Sequence, residues 1–315
     1  MSHNVYYRMT TGVTTSNGVK VSGVSSGSAI TGATNGRTYY IIVTAVNVWG
    51  GESPASSEVS VTLPPTVLGN TYVLIVAGQS NAVGTAPLPM ADAAVFAYNF
   101  PRTKIWSNGA WEDYNPYRHN QVHDLEPSTH GIEPYLIYLF DQNFPNATLY
   151  IIKFAEGGTS LGSDWSAPNG RLYAIFKTSY LLPALASADL ANGYTPLGFW
   201  WMQGESDATS TSWADTYYNN LNGFFSSLVA DIPATANFNR YIGRVKNHPS
   251  WTYRATVRAA QMQYCSISVN NAALIDTDTI DVRPTPSDQH YSALGYSQLA
   301  KVLFTSMTGI VVFKY

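Results

Sequence analysis

The chain has 315 residues and a formal net charge of −3; charged residues make up 12% of it and aromatic residues 13%. That length suits about two domains, and an aromatic-rich, charge-poor composition is the opposite of an intrinsically disordered one. No run of Lys or Arg offers an electrostatic footprint for nucleic acid, and no apolar stretch reaches the ~18 residues of a membrane-spanning helix.

From the N-terminus, Met1-Ser2-His3-Asn4 is not followed by a charged and then an apolar region, so no signal peptide is expected. Residues 5–9, 19–21, 39–47 and 58–63 read as strands separated by Gly, Asn and Ser turns. Residues 1–65 are therefore expected to form a small all-β module, followed by the stiff connector Pro64-Pro65. Its run Thr34-Asn35-Gly36-Arg37-Thr38-Tyr39-Tyr40-Ile41-Ile42-Val43-Thr44, with Glu52-Ser53 beyond it, resembles the last strands of a fibronectin type III domain, in which Tyr39 stands as the corner tyrosine. Val5-Tyr6-Tyr7-Arg8 resembles the third strand of such a domain, so the first two strands are missing. Either a longer chain continues the module or a partner covers its open edge. Attachment to a larger assembly through this module is expected.

Residues 66–315 alternate. Apolar runs at 72–77, 149–154, 197–202, 241–245 and 273–275 read as buried strands, with helical periodicity at 132–144, 172–190, 213–232, 253–264 and 292–307. Strand–helix alternation implies an α/β domain with a parallel sheet and helices on both faces. Ligands of such sheets bind beyond the carboxyl ends of the strands, and the motifs with chemistry fall there.

The first motif is Gly78-Gln79-Ser80-Asn81. Gly78 permits a tight turn, and a serine at the following helix start has its own N–H unused. That serves a nucleophile whose oxyanion forms beside its own amide, although a serine there is also a common helix cap. The second is Glu156-Gly157-Gly158-Thr159-Ser160-Leu161, with Trp165 after it. The third is Trp201-Met202-Gln203-Gly204-Glu205-Ser206-Asp207. The fourth is Asp288-Gln289-His290, ahead of the last helix, where His290 is the candidate general base. Serine, acidic residues and histidine in these positions suggest nucleophilic acyl transfer.

Together and in this order, over about residues 70–310, these motifs resemble the sialate O-acetylesterase and acetyl xylan esterase branch of the SGNH hydrolases. The resemblance implies a three-layer, flavodoxin-like α/β/α sandwich that removes acetyl groups from sugars. It implies Ser80 as nucleophile, and an oxyanion hole from the Ser80 amide, the amide of Gly157 or Gly158, and the Gln203 side chain. Gln79, Asn81, Trp165 and Tyr291 become candidate substrate-binding residues. Such enzymes place an aspartate three residues before the histidine; here that position is Ser287. Either Asp288 reaches the imidazole despite the offset, or Glu205 orients it. Asp207 reads as structural.

His119, His123 and His130 fit no zinc spacing well and read as a solvated loop. Lone Cys265 reads as a structural thiol. Trp200 and Trp201 read as core. The expected ligand is an O-acetylated carbohydrate, with no cofactor and no metal. Few charges and many Tyr, Trp, Asn, Ser and Thr suit an extracellular or virion-associated particle, such as a phage tail, that meets carbohydrate. Two other functions stay open: a glycan-binding or adhesion module that has lost turnover, favoured by the displaced aspartate, and an esterase of lipids or thioesters.

Overall fold

The computed structural model describes residues 2–24, 38–62, 70–88, 92–120, 129–284 and 288–312. The expectations for Thr34 to Arg37, Pro64-Pro65, His123 and Ser287 lie outside the described residues. The chain divides into two compact units, Met1–Val67 with Phe304–Tyr315, and Leu68–Leu303.

In the first unit, β1 (Ser2–Arg8), β2 (Val19–Val24), β3 (Thr38–Val46) and β4 (Val59–Thr62) form one antiparallel sheet in the order β2-β1-β3-β4. The alternation of inward and outward side chains follows from the strand period of two. Tyr6, Val13 and Ile42 are the inward set, with Tyr40 packed against them. Glu52 ties the strands together. It accepts hydrogen bonds from Tyr6 and Thr44 and pairs with Lys20 at 2.7 Å. Lys20 first, then the two hydroxyls, pull the Glu52 carboxyl down to about 2.

The second unit runs β5 (Thr71–Gly78), α1 (Ser80–Val83), β6 (Ala86–Pro87), α2 (Ala93–Phe96), β7 (Thr103–Ser107), β8 (Ala110–Asp113), β9 (Thr129–His130), α3 (Glu133–Asn143), β10 (Thr148–Ala155) and α4 (Arg171–Ile175). A π-helical turn, Phe176–Leu181, joins α4 to α5 (Leu182–Leu185). Then come β11 (Thr195–Met202), α6 (Thr211–Asp231), β12 (Arg240–Gly243), α7 (Arg254–Ser266), β13 (Ala272–Ile275) and α8 (Ala293–Thr308), whose last residues belong to the first unit. The single helix expected over 172–190 is broken up. Pro183 cannot donate to the helical ladder, and the widened turn ahead of it absorbs that loss.

Seven strands form the central sheet in the order β13-β12-β11-β5-β10-β7-β8. All neighbours are parallel except the antiparallel pair β7–β8. Val73 through Ala77 on β5 have no exposed surface, as expected of a parallel strand covered on both faces. That double burial is why its sequence is continuously apolar rather than alternating. With the β7–β8 hairpin set aside, the five parallel strands, numbered as they occur, lie in the order 2-1-3-4-5. The chain therefore leaves β5 and β11 in opposite directions, which opens a crevice at their carboxyl ends.

Candidate active site

That crevice is a cavity of about 420 Å³ whose wall includes Ser80, Gly158, Glu205 and His290. Gly78 makes the close approach of β5 and β11 possible. It holds φ +143°, and a Cβ there would sit 1.9 Å from the Met202 carbonyl oxygen. The Gln79 N–H then donates to that same carbonyl at 2.9 Å. Gln79, not Ser80, is the N-cap of α1, and no side chain caps the helix. The Ser80 hydroxyl is thus not spent on capping. Among the described residues it has no hydrogen-bond partner, and neither has the Ser80 N–H.

His290 lies across the same cavity. Asp288 Oδ1 accepts from the His290 backbone N–H at 3.0 Å and sits 2.7 Å from ring Nδ1. Arg283 Nη1 holds the other carboxylate oxygen at 3.0 Å. Burial works against ionisation of Asp288, but the His290 backbone, its ring and Arg283 outweigh it and hold the carboxyl below its ordinary value. Asp288 therefore reaches the imidazole despite its offset, and Nε2 has no partner among the described residues. No hydrogen bond joins Nε2 to the Ser80 hydroxyl. Such contacts are often long before substrate arrives and tighten on binding.

No hydrogen bond joins Glu205 to His290 among the described residues. Glu205 is 3% exposed, Oε1 accepts from Asn81 Nδ2 at 3.0 Å, and Oε2 has no hydrogen-bond partner among the described residues. Burial pushes its carboxyl up to about 7, against the opposing pull of Asn81. Asn81 Oδ1 in turn accepts from the Tyr291 N–H at 3.1 Å. One amide side chain thus ties α1 to the backbone beside His290 and to Glu205. Asn81 is a brace, and it also lines the cavity, where a substrate contact was expected. Gln79 is committed too. Its Oε1 accepts from Gly204 N at 3.3 Å and from Ser206 N at 3.2 Å, which shapes the loop after β11.

The expected oxyanion donors divide. Gly158 lines the cavity, and a Cβ on Gly157 would lie 3.6 Å from Ser80 Cβ, so Gly157 sits against Ser80. Neither glycine N–H has a hydrogen-bond partner among the described residues, as a donor waiting for a developing charge requires. Gln203 is different. It has no exposed surface, and its Nε2 donates to Asp207 Oδ2 at 2.5 Å and to the Thr159 carbonyl at 3.1 Å. A donor already used inside the protein cannot face the oxyanion, so that assignment is corrected. Asp207 also receives the N–H groups of Leu161 at 2.9 Å and Gly162 at 3.1 Å. It clamps the glycine loop in place, the structural role expected of it.

Two aromatic expectations are also corrected. Trp165 has no exposed surface; it packs edge-on to Phe154, Phe176 and Trp201, with its indole N–H on Thr159 Oγ1 at 3.1 Å. Tyr291 is equally buried and is not in the cavity wall. The next residue in sequence to His290 points into the core because the short bridge between Val282 and Tyr291 fixes the backbone there. The aromatic that does line the cavity is Trp251, on the loop after β12, together with Thr85, Ser206 and Gln289. Gln289 Nε2 donates to Ser250 Oγ at 2.8 Å and joins the histidine loop to the tryptophan loop. No motif pointed to Trp251. The one available signal was a Trp in a loop following a strand.

His119 and His130 are not solvated, contrary to expectation. His119 is 4% exposed and near Glu112, and His130 has no exposed surface; burial lowers both, His130 to about 4. Among the described residues no group of three or more His, Cys, Asp or Glu is placed to hold a metal ion. Burial drives the Cys265 thiol up to about 12, which keeps it an inert neutral group. Trp200 and Trp201 are core, as expected.

Comparison with known proteins gives the same direction. A protein from Arabidopsis thaliana superposes with a TM-score of 0.62 at 16% identity, over 76% of this chain and 99% of that one. NanS superposes with a TM-score of 0.56 at 16% identity, over 75% of this chain and 96% of its own. A carbohydrate acetylesterase from Xanthomonas citri matches at 15% identity and a TM-score of 0.49, over 98% of this chain and 69% of that one. At 16% identity the first two likenesses are ones of fold alone. No curated protein matches the chain by sequence. The family model for carbohydrate esterases described as sialic acid-specific acetylesterase matches residues 70–309. The chain belongs to this SASA family of carbohydrate esterases.

Proposed function

We propose that the chain is a serine acetylesterase that removes acetyl groups from an O-acetylated poly- or oligosaccharide. The observation that carries this reading is the 2.7 Å contact of Asp288 with His290 Nδ1, in the wall of the cavity that Ser80 also lines. Asp288 fixes the tautomer that leaves Nε2 as the base. Nε2 takes the Ser80 proton as Oγ attacks the acetyl carbonyl. The oxyanion is received by the N–H groups of Ser80 and of Gly157 or Gly158. His290 then protonates the departing sugar oxygen, and a water, deprotonated by the same nitrogen, hydrolyses the acetyl-serine. Every step uses groups of this chain and water.

The offset of Asp288 is the feature that favours a non-catalytic glycan binder, and its contact with His290 takes away that feature's force. The 2-1-3-4-5 strand order supports a flavodoxin-like SGNH sandwich for the second unit. The order β2-β1-β3-β4, with Tyr39 buried, supports a fibronectin type III-like module for the first. We take that module to attach the esterase to a larger extracellular or virion-borne assembly.

The test is hydrolysis of p-nitrophenyl acetate and p-nitrophenyl decanoate by the full chain and by Ser80→Ala and His290→Ala. Turnover of the acetate alone, abolished in Ser80→Ala and largely lost in His290→Ala, is the expected result. Preference for the decanoate would point to a lipid esterase, and an inactive wild type to a binding protein.

A further inference from the structure

We infer that Lys153, with Glu133 as its buried partner, is a positioning residue for Ser80 and acts through the one peptide unit that joins Val83 to Gly84. The inference rests on the esterase reading above and adds to it what holds the nucleophile in place.

The hydroxyl and N–H of Ser80 have no hydrogen-bond partner among the described residues, as an attacking oxygen and an oxyanion donor require. What fixes the residue is its own carbonyl, which accepts from the Gly84 N–H at 3.0 Å. That N–H and the Val83 carbonyl belong to one peptide unit, which is planar and rigid. Lys153 Nζ donates to the oxygen of the same unit at 2.7 Å. Lys153 and Ser80 therefore hold opposite edges of one plane. A tilt of that plane moves the Ser80 carbonyl, and Oγ with it. α1 is a single turn, Ser80–Val83, so no longer ladder of hydrogen bonds damps the tilt. Around it the turn is closely packed. Gly84 holds φ +95°, and a Cβ there would lie 2.3 Å from Gly131 Cα. The Gly84 carbonyl accepts from Asn120 Nδ2 at 2.9 Å and from Thr129 Oγ1 at 3.1 Å. Those bonds place the next peptide unit; among the described residues Lys153 alone bonds the oxygen of the unit shared with Ser80.

Stability does not account for this pair. Lys153 stands in the apolar run Ile151-Ile152-Lys153-Phe154 of β10 and is 1% exposed, and Glu133 has no exposed surface. Burial lowers the lysine and raises the glutamate, against their mutual attraction. Among the described residues no side chain other than Lys153, at 2.9 Å, pairs with the Glu133 carboxylate. A buried ion pair with so few further hydrogen bonds recovers little of its desolvation cost, and apolar residues of similar size serve a core as well or better. The bond to the Val83 carbonyl is what an apolar pair cannot supply.

The experiment follows p-nitrophenyl acetate hydrolysis and the phosphonylation of Ser80 by an activated p-nitrophenyl alkylphosphonate. It compares the full chain with Lys153→Met combined with Glu133→Gln, which removes the bond and both charges at nearly constant volume. A displaced nucleophile lowers kcat with little change in KM. The double variant is expected to lose about 10- to 10²-fold in kcat and in labelling rate, with KM within about threefold and a melting midpoint within about 4 °C of the wild type. Glu133→Gln alone keeps a lysine that donates to Val83 whether charged or neutral, and it is expected to lose no more than about threefold in either rate. Wild-type rates in the double variant, or equal losses in the double variant and in Glu133→Gln, overturn the inference. If the double variant does not fold, Lys153→Leu combined with Glu133→Leu takes its place with the same expectation. Failure of both to fold assigns the pair to the fold alone and overturns the inference as well. No turnover and no labelling in the wild type removes the esterase reading and this inference with it.

Discussion

At the residue scale, the decisive pair is Asp288 and Glu205, two carboxyl groups that sequence spacing alone does not separate. Asp288 succeeds from two positions before His290 because its side chain folds back on the N–H of residue 290, in the manner of an Asx turn. That local bond brings the same oxygen onto the ring nitrogen. An aspartate three positions earlier is therefore unnecessary. Asp288→Asn keeps the shape but presents the wrong partner to Nδ1, and it is expected to lower kcat by up to about 10⁴-fold. Because the carboxyl lies below its ordinary value, Asp288 is ionised at pH 5 as at pH 8, and a deficit is expected at both in steady-state assays. Glu205 behaves oppositely. Its carboxyl rises from 4.5 to about 7 on folding. Below the unfolded value both states are protonated and burial exacts nothing. As pH rises through 7, the folded chain must keep a proton that the unfolded chain has lost, or bury a charge, and stability falls. Glu205→Gln should therefore raise stability by about 2–3 kcal/mol at pH 8 and not at pH 4, read from denaturant melts. The residues that sequence reading misplaced, Gln203, Trp165 and Tyr291, share one cause. A motif gives residue type and position along the chain but not which side of a turn the side chain takes.

At the element scale, the strands β5, β10, β11, β12 and β13 and the helices α3, α6, α7 and α8 were legible from their apolar runs and helical periodicity. The β7–β8 hairpin was passed over although it carries the strongest short signal there is, Asn108-Gly109. Both turn residues have positive φ, 51° and 80°, and Ser107 pairs directly with Ala110. Two short strands around a tight turn have too little periodicity to stand out beside eight-residue strands. The loops that frame the cavity are joined by charge, which no local pattern reveals. Asp278, beyond β13, receives Arg258 of α7 through two bonds of 2.8 Å, Arg244 at 2.9 Å and the Asn247 N–H at 2.9 Å. These hold the Asp278 carboxyl at about 2, Arg258 first. A depressed carboxyl contributes stability above its unfolded value of 3.8 that is lost as pH falls through about 2. Asp278→Asn should cost about 1–2 kcal/mol at pH 7, after allowing for its partial exposure, and nothing near pH 2. Chemical denaturation at the two pH values checks it.

At the scale of the whole molecule, the sheet does what no motif does alone. Residues 80, 157, 205 and 290 follow different strands, and a parallel sheet with its crossovers delivers them to one end. The expectation that they converge needed only the strand–helix alternation and the rule that ligands sit beyond the carboxyl ends. The depth of the cavity, the presence of Trp251 and the unused Glu205 oxygen depend on packing between distant loops and were not legible. Beneath α1, Lys153 of β10 donates to the Val83 carbonyl at 2.7 Å and pairs with Glu133 of α3 at 2.9 Å. This buried tie supports α1 from below and is likewise invisible in one-dimensional spacing. The most direct measurement is peptide mass mapping of the full chain after reaction with an activated p-nitrophenyl alkylphosphonate. The adduct is expected on the peptide carrying Ser80, absent in Ser80→Ala and formed far more slowly in His290→Ala. An adduct on another residue, or labelling of Ser80 at an unchanged rate without the His290 ring, would contradict the proposed serine–histidine chemistry.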